Sequence, residues 1–246
     1  MALLIEGPRL LAEALDASVE LTEVFIDRPL GSELARRLDA AGVAVVEVVA
    51  GLLDHVGDVV VSQGVLAVAR VAEPSSPGCL AGGLGLVLAD VADPGNVGSI
   101  LRTADAVAAR GVALVGRSVD WTSPKVVRAS AGAVFRVSIA VAESPEQTVS
   151  QLQARGVRCV GAVVRGGRAH YDIDLTGSVA IVVGNESQGL SKGVCDAVDE
   201  LMHLPMPGRA ESLNVAMAAT VLAFESVRQR TNQPIALVLG TNPRQA

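Results

Sequence analysis

From Leu84 onward, short aliphatic runs alternate with segments of helical spacing. The strand-like runs are "LGLVLADV", "GVALVG", "FRVSIAV", "VRCVGAVV", "VAIVVG" and "ELMHLPM"; helices are expected over 97–109, 124–131, 145–155, near 191–198 and over 212–230. Strands that are apolar at nearly every position are buried on both faces, and strands separated by helices run parallel. The expected fold class is α/β, with a mostly parallel sheet covered on both sides. Composition agrees, because 50% of the residues are hydrophobic and only 2% aromatic, which leaves Val, Ala, Leu and Ile to build the core.

Ahead of this region the stretch "EPSSPGCLAGG" (73–83) concentrates Pro, Ser and Gly and reads as a linker. Residues 1–72 then form a small α/β module with helices at "RLLAEALD" and "SELARRLDAAG" and strands at "LTEVFID", "VAVVEVV" and "GVLAVARV". The large domain spans 84–230, and a tail with a short apolar run occupies 231–246. Cys79, Cys159 and Cys195 lie far apart without CxxC spacing, so neither a disulfide framework nor a zinc site is indicated. No window has the length of a membrane span, and Glu6, Pro8 and Arg9 interrupt any apolar signal core, so a cytoplasmic protein without membrane association is expected.

Net charge is −6, which argues against a general polyanion binder, but the charge is unevenly placed. Residues 1–75 hold 5 Lys/Arg against 12 Asp/Glu, whereas 97–136 hold 6 basic residues (Arg102, Arg110, Arg117, Lys125, Arg128, Arg136) against Asp105 and Asp120. A local basic surface is expected there.

The informative residues fall at three strand-to-helix junctions, where parallel sheets bind ligands. In "DPGNVGSILRTADA" (93–106), Asn96 can cap the helix, Gly98 permits close backbone approach, and Arg102 is either a solvated surface residue or a site residue. In "IVVGNESQGLS" (181–191), Glu186 at the loop centre would repel an anion, so a neutral or cationic ligand suits the loop better than phosphate. In "HLPMPGRAESLNVAMAAT" (203–220), Ser212 and Asn214 open a helix of small residues, with Ser212 a possible N-cap. A dinucleotide or P-loop reading fails, because "GCLAGGLG" precedes its strand and no GxxxxGK is present.

Together these loops resemble the motifs of the SpoU (TrmH-like) class of RNA ribose 2′-O-methyltransferases in the SPOUT superfamily. The first motif is matched by Asn96, Gly98 and Arg102, the second by Gly184, Asn185, Glu186 and Gly189, and the third by Pro205, Met206, Ser212, Leu213 and Asn214. "SPKVVRASAGAVFRVSI" (123–139) is similar to the segment between the first two, and "LLIEGPRLLAEAL" resembles the opening of an L30e-like substrate-binding domain. The resemblance implies a C-terminal trefoil knot, a homodimer formed through the knotted domain, S-adenosylmethionine as cofactor and RNA as substrate, with ribosomal RNA favoured over tRNA. A non-catalytic RNA-binding or assembly factor on the same fold is the other reading.

For the site, the resemblance implies cofactor contacts from Ala162, Val163, Gly184, Asn185, Glu186, Gly189, Leu204, Met206, Ser212 and Leu213. Catalytic roles fall to Arg102, Asn96, Glu186, Ser212 and Asn214, and RNA contacts to Arg102, Lys125 and Arg128. Leu204 and Leu213 also suit simple core packing. Glu186 can face the sulfonium or organise the loops, Ser212 and Asn214 can hold the ribose or fix loop geometry, and Asn96 can support Arg102. A general-base role for Arg102 is chemically difficult, since guanidinium stays protonated with a pKa above about 12; holding a phosphate and stabilising developing charge is the alternative. An acidic N-terminal module is an odd RNA grip. Related chains commonly carry a basic segment ahead of it, so either such an extension supplies the charge or RNA is held mainly by 97–136.

Overall fold

The computed structural model describes residues 1–56 and 62–231, so the tail expected at 231–246 lies, beyond Thr231, outside the described residues. Two sheets organise the chain. The first module contains β1 (Ala2–Glu6), α1 (Pro8–Asp16), β2 (Glu20–Ile26), α2 (Ser32–Ala40), β3 (Val45–Glu47), α3 (Leu53–Val56) and β4 (Val65–Arg70). Its four strands are ordered β1-β4-β2-β3, with β4 antiparallel to both β1 and β2 and only β2–β3 parallel. Strand β1 was not expected from the sequence, and β3 is shorter than the run 43–49 read there.

The second region contains β5 (Leu84–Ala89), α4 (Pro94–Ala106), β6 (Gly111–Val115), α5 (Pro124–Ala129), β7 (Ile139–Ala142), α6 (Pro145–Gln153), β8 (Arg158–Ala162), β9 (Arg168–Ala169), β10 (Val179–Val183), α7 (Lys192–Ala197), β11 (Glu200–His203) and α8 (Val215–Thr231). Its seven strands are ordered β7-β6-β5-β10-β8-β11-β9, and every pairing is parallel. The alternation of side chains explains the apolar runs. Leu84, Leu86 and Leu88 pack with Ile100, Leu101, Val126 and Leu222, while Val87 and Ala89 pack with Val149, Leu152 and Val194 on the other face. Among the described residues no helix is long and apolar enough to cross a membrane.

The stretch expected as a linker is seated on the second sheet. The Ser75 N–H donates to the Ile139 carbonyl at 2.8 Å, and Pro77 and Leu80 are buried. The modules also share a core: Leu3, Ile5 and Leu11 belong to the same apolar cluster as Val126, Val127 and Val134. Around that core Arg128 pairs with Glu6, and Arg136 bridges Glu13 and Asp105 at 2.9 Å each.

Candidate functional site

Because the large sheet is parallel, the loops after β5, β8, β10 and β11 all leave from one edge. The first loop is closed by Asp93, whose carboxylate accepts from the Asn96 N–H at 2.8 Å and caps α4, with Pro94 in the first turn. Asp93, not Asn96, is therefore the cap. This frees the buried Asn96 side chain: its amide donates to Glu186 Oε1 at 2.9 Å, and its oxygen accepts from Asn214 Nδ2 at 2.8 Å. Gly98 permits the tight contact of α4 with α5, since a Cβ there would lie 2.4 Å from that of Ala129.

Asn214 accepts in turn from the backbone N–H groups of Ala216 at 2.8 Å and Met217 at 3.3 Å. It caps α8, which starts at Val215, whereas the sequence reading opened the helix at Ser212. Ser212 stays outside the helix and exposed. Three loops distant in the chain thus meet at one Asn214–Asn96–Glu186 chain of hydrogen bonds.

Glu186 also accepts from the backbone N–H groups of Asp93 at 3.2 Å and Ala92 at 3.5 Å. Burial pushes its carboxyl pKa upward, but the Asn96 amide and the backbone N–H donors outweigh this and hold it below the ordinary glutamate value. Its neighbour Asn185 donates to the Asp90 carbonyl at 3.0 Å and accepts from Ser187 and Gln188, which tightens the second loop. At Gly184 any side chain is excluded, because an added Cβ would lie 2.3 Å from the carbonyl carbon of Gly189.

Behind this junction opens a cleft of about 580 Å³. Ala162 and Val163 line it from the end of β8, Gly184, Asn185, Glu186 and Gly189 from the second loop, and Leu204, Met206, Ser212 and Leu213 from the third. Val183, Met202 and Leu222 supply apolar lining, and Asn214 joins the wall. Sequence reasoning missed Arg165 and Glu211, which also line the cleft. The signal for Arg165 was available: "VVRGGRAH" follows a strand that ends on the same sheet edge.

The basic candidates separate. Arg102 is exposed on α4, does not line the cleft, and makes no hydrogen bond or ion pair with a described residue. Lys125 is likewise exposed and unpaired among the described residues. Arg128, expected on an RNA-facing surface, is turned instead to the nearly buried Glu6 carboxylate of β1. The sequence window that looked basic did not contain this acidic partner.

A parallel sheet whose strand-end loops close round a glycine-pinched cleft of mixed apolar and polar lining defines an α/β protein built to hold a small ligand at the carboxyl ends of its strands. Residues 83–224 match the SpoU rRNA Methylase family, and the chain belongs to that family. Among curated relatives, it is 37% identical over 152 residues to a 23S rRNA uridine 2′-O-methyltransferase of Streptomyces viridochromogenes, covering 60% of this chain and 53% of the relative. It is 35% identical over 218 residues to the 23S rRNA (guanosine-2′-O-)-methyltransferase RlmB of Xanthomonas axonopodis pv. citri, covering 85% and 88%. Among solved structures, the SpoU methyltransferase AviRb of Streptomyces viridochromogenes in complex with AdoMet superposes with a TM-score of 0.83 at 29% identity, over 94% of this chain and 92% of that one.

Proposed function

We propose that the protein methylates a ribose 2′-hydroxyl in ribosomal RNA, using S-adenosylmethionine bound in the cleft, and does so in the cytoplasm. The observation that carries this reading is convergence: residues from 162–163, 184–189 and 204–213 line one cleft beside the Asn96–Glu186–Asn214 junction. The residues fit the cofactor. Apolar side chains of Val183, Met202, Leu204 and Leu222 suit a flat base, and at Gly184 the backbone is bare where loop and ligand approach closely. When bound, S-adenosylmethionine supplies an electrophilic methyl group on a sulfonium.

The chain's own residues then have separable tasks. Leu204, Met206 and Leu213 hold the base, and Ser212, exposed on the cleft wall, offers a hydroxyl to the ribose. Glu186, its oxygens already occupied by Asn96, Asp93 and Ala92, fixes the loops. Arg102 holds a substrate phosphate through its fork and stabilises negative charge growing on the attacking ribose oxygen. Its guanidinium keeps its own proton, so the hydroxyl proton passes to a phosphate oxygen or to water. Lys125, exposed on α5, adds to the RNA face.

A homodimer belongs to this reading. On α8, Met217 and Val221 are 61% and 44% exposed, an apolar stripe on a helix whose other side is buried. The Asn96–Asn214 and Thr103–Thr220 contacts show that α4 and α8 run side by side in the same direction. By helical spacing Arg102 then projects to the same exposed side as Met217 and Val221. A second copy covering the stripe would bring the two helices' site residues to the interface. The position of β10 between β5 and β8 in the sheet supports the threaded C-terminal crossing implied by the family resemblance. Labelled S-adenosylmethionine incubated with separate 23S rRNA and tRNA transcripts tests the function. Label at a ribose of the rRNA is expected; label only in tRNA changes the substrate, and label in neither returns the protein to a binding or assembly role.

A further inference from the structure

The loop between β8 and β9 presents a cation that the site described so far does not use. Arg165 is the one basic side chain lining the cleft among the described residues, and it is exposed. The backbone that carries it is held on several sides. The Val163 N–H donates to the Met202 carbonyl at 2.9 Å, and His203 Nδ1 lies 3.1 Å from the Gly166 carbonyl oxygen. Beyond the turn, β9 pairs with β11 through Met202–Arg168 and His203–Ala169. Gly167 takes a left-handed conformation (φ +68°) where a Cβ would lie 2.3 Å from the Leu201 carbonyl oxygen, so the turn is pressed against β11.

The neighbouring arginines have partners. Arg158 and Arg168 both contact Glu200, at 2.6 and 3.2 Å, and Arg168 also donates to the Asp172 carbonyl. Arg165, at the tip, makes no hydrogen bond or ion pair with a described residue, although the Glu186 and Glu211 carboxylates line the same cleft. A firmly held backbone thus places an unneutralised guanidinium at the mouth of the cleft. A target ribose entering that mouth has a phosphate on either side, and a planar fork matches phosphate oxygens.

We propose that Arg165 is a positioning residue that binds an RNA backbone phosphate next to the target nucleotide and so seats its ribose over the cleft. This rests on the methyl-transfer reading. The same anion chemistry is offered by the carboxylate of the cofactor, and the measurements separate the two. In the full chain with a 23S rRNA transcript, Arg165→Ala is expected to raise the RNA KM about 10- to 100-fold, the scale of one charged hydrogen bond. It should leave kcat, S-adenosylmethionine affinity and thermal midpoint nearly unchanged. The slope of log RNA affinity against log salt should flatten by about 0.7–0.9, the signature of one lost phosphate contact, which a structural role would not move. Arg165→Lys should recover the slope and part of the affinity. An unchanged KM and slope in Arg165→Ala overturns the proposal, and so does weakened S-adenosylmethionine binding with RNA affinity intact. If the wild-type protein binds the transcript but transfers no methyl group, the methyl-transfer reading fails while the salt slopes still decide whether Arg165 holds phosphate.

Discussion

The junction between the two modules and the open edge of the large sheet both carry arginines, and the two regions treat them in opposite ways. At the junction Arg128 meets Glu6, and Arg136 meets Glu13 and Asp105. Arg165 at the open edge, and Arg102 farther along the exposed side of α4, face solvent without a partner among the described residues. The acidity of the first module thus has a local explanation: part of it neutralises cations of the second. Two unneutralised cations, Arg165 lining the cleft and Arg102 on the exposed side of α4, lie where the proposed function places the RNA. Location relative to fixed carboxylates, not the count of basic residues in a window, distinguishes a structural arginine from one available to a ligand.

The sharpest test of this contrast is Arg102→Ala. Loss of a preorganised charge-stabilising donor is expected to lower the single-turnover methylation rate by about 10²–10³-fold, with the fold and S-adenosylmethionine affinity retained. Arg102→Lys should stay strongly impaired if the fork matters. Near-normal transfer by Arg102→Ala, measured with saturating rRNA transcript, would make this arginine an ordinary solvated side chain.

Gly184→Val tests the floor beneath that open edge. The added side chain meets the backbone of Gly189 and Leu190, so the second loop must move before any ligand is considered. Cofactor affinity by calorimetry is expected to fall at least about tenfold, with a lowered thermal midpoint, since overpacking against backbone costs about 1–3 kcal/mol. Unchanged affinity in a stable variant would place the ligand elsewhere.

Legibility in the sequence followed the same division between local and distant. The central strands of the large sheet were readable because burial on both faces makes β5, β6 and β10 apolar throughout, and Gly98 was readable as a site of close approach, whereas the two-residue β9 carries no such signal and was missed. Helix starts were less so: Asp93 and Asn214 cap α4 and α8, where Asn96 and Ser212 had been read as candidates. The hydrogen bond between Asn96 and Asn214 joins residues 118 apart, and no spacing rule reports it. Strand order was equally hidden, because the placement of β10 between β5 and β8 is a property of the pairing between distant strands and not of any one of them. The partner of Arg128 was hidden for the same reason, lying 122 residues away in a strand that the sequence did not reveal.

Arg128→Ala examines the junction directly and is expected to act oppositely to the changes at the open edge. Removing this partner of the nearly buried Glu6 carboxylate should lower unfolding stability by about 1.5–3 kcal/mol, the scale of a hydrogen bond to a charged group. The salt dependence of RNA affinity should be unchanged, because a cation already paired within the protein releases no counterion from RNA. A flattened salt slope with unaltered stability would move Arg128 back among the RNA contacts.

The smallest expected effect lies at Glu186, where the open edge is tied to its own scaffold. Hydrogen bonds from Asn96 and the backbone N–H groups hold this carboxyl below its ordinary value against the upward push of burial. A group whose folded pKa is depressed contributes its stabilisation above the unfolded value, about 4.3 for glutamate, and loses it as pH falls through the lower folded value. Cofactor affinity should therefore be level in this respect from pH 7 to about 5 and weaken below about 4 as the carboxylate is protonated. Glu186→Gln cannot carry that charge, and its amide presents a donor to one of the Asp93 and Ala92 N–H groups. It should bind S-adenosylmethionine a few-fold more weakly at pH 7 and show less of the acid-side decline. Calorimetric titrations of both proteins across pH 3.5 to 7 check the sign. An identical decline in Glu186→Gln would assign the acid sensitivity to another carboxylate and leave Glu186 as a hydrogen-bond acceptor in the loop junction whose charge the cofactor does not sense.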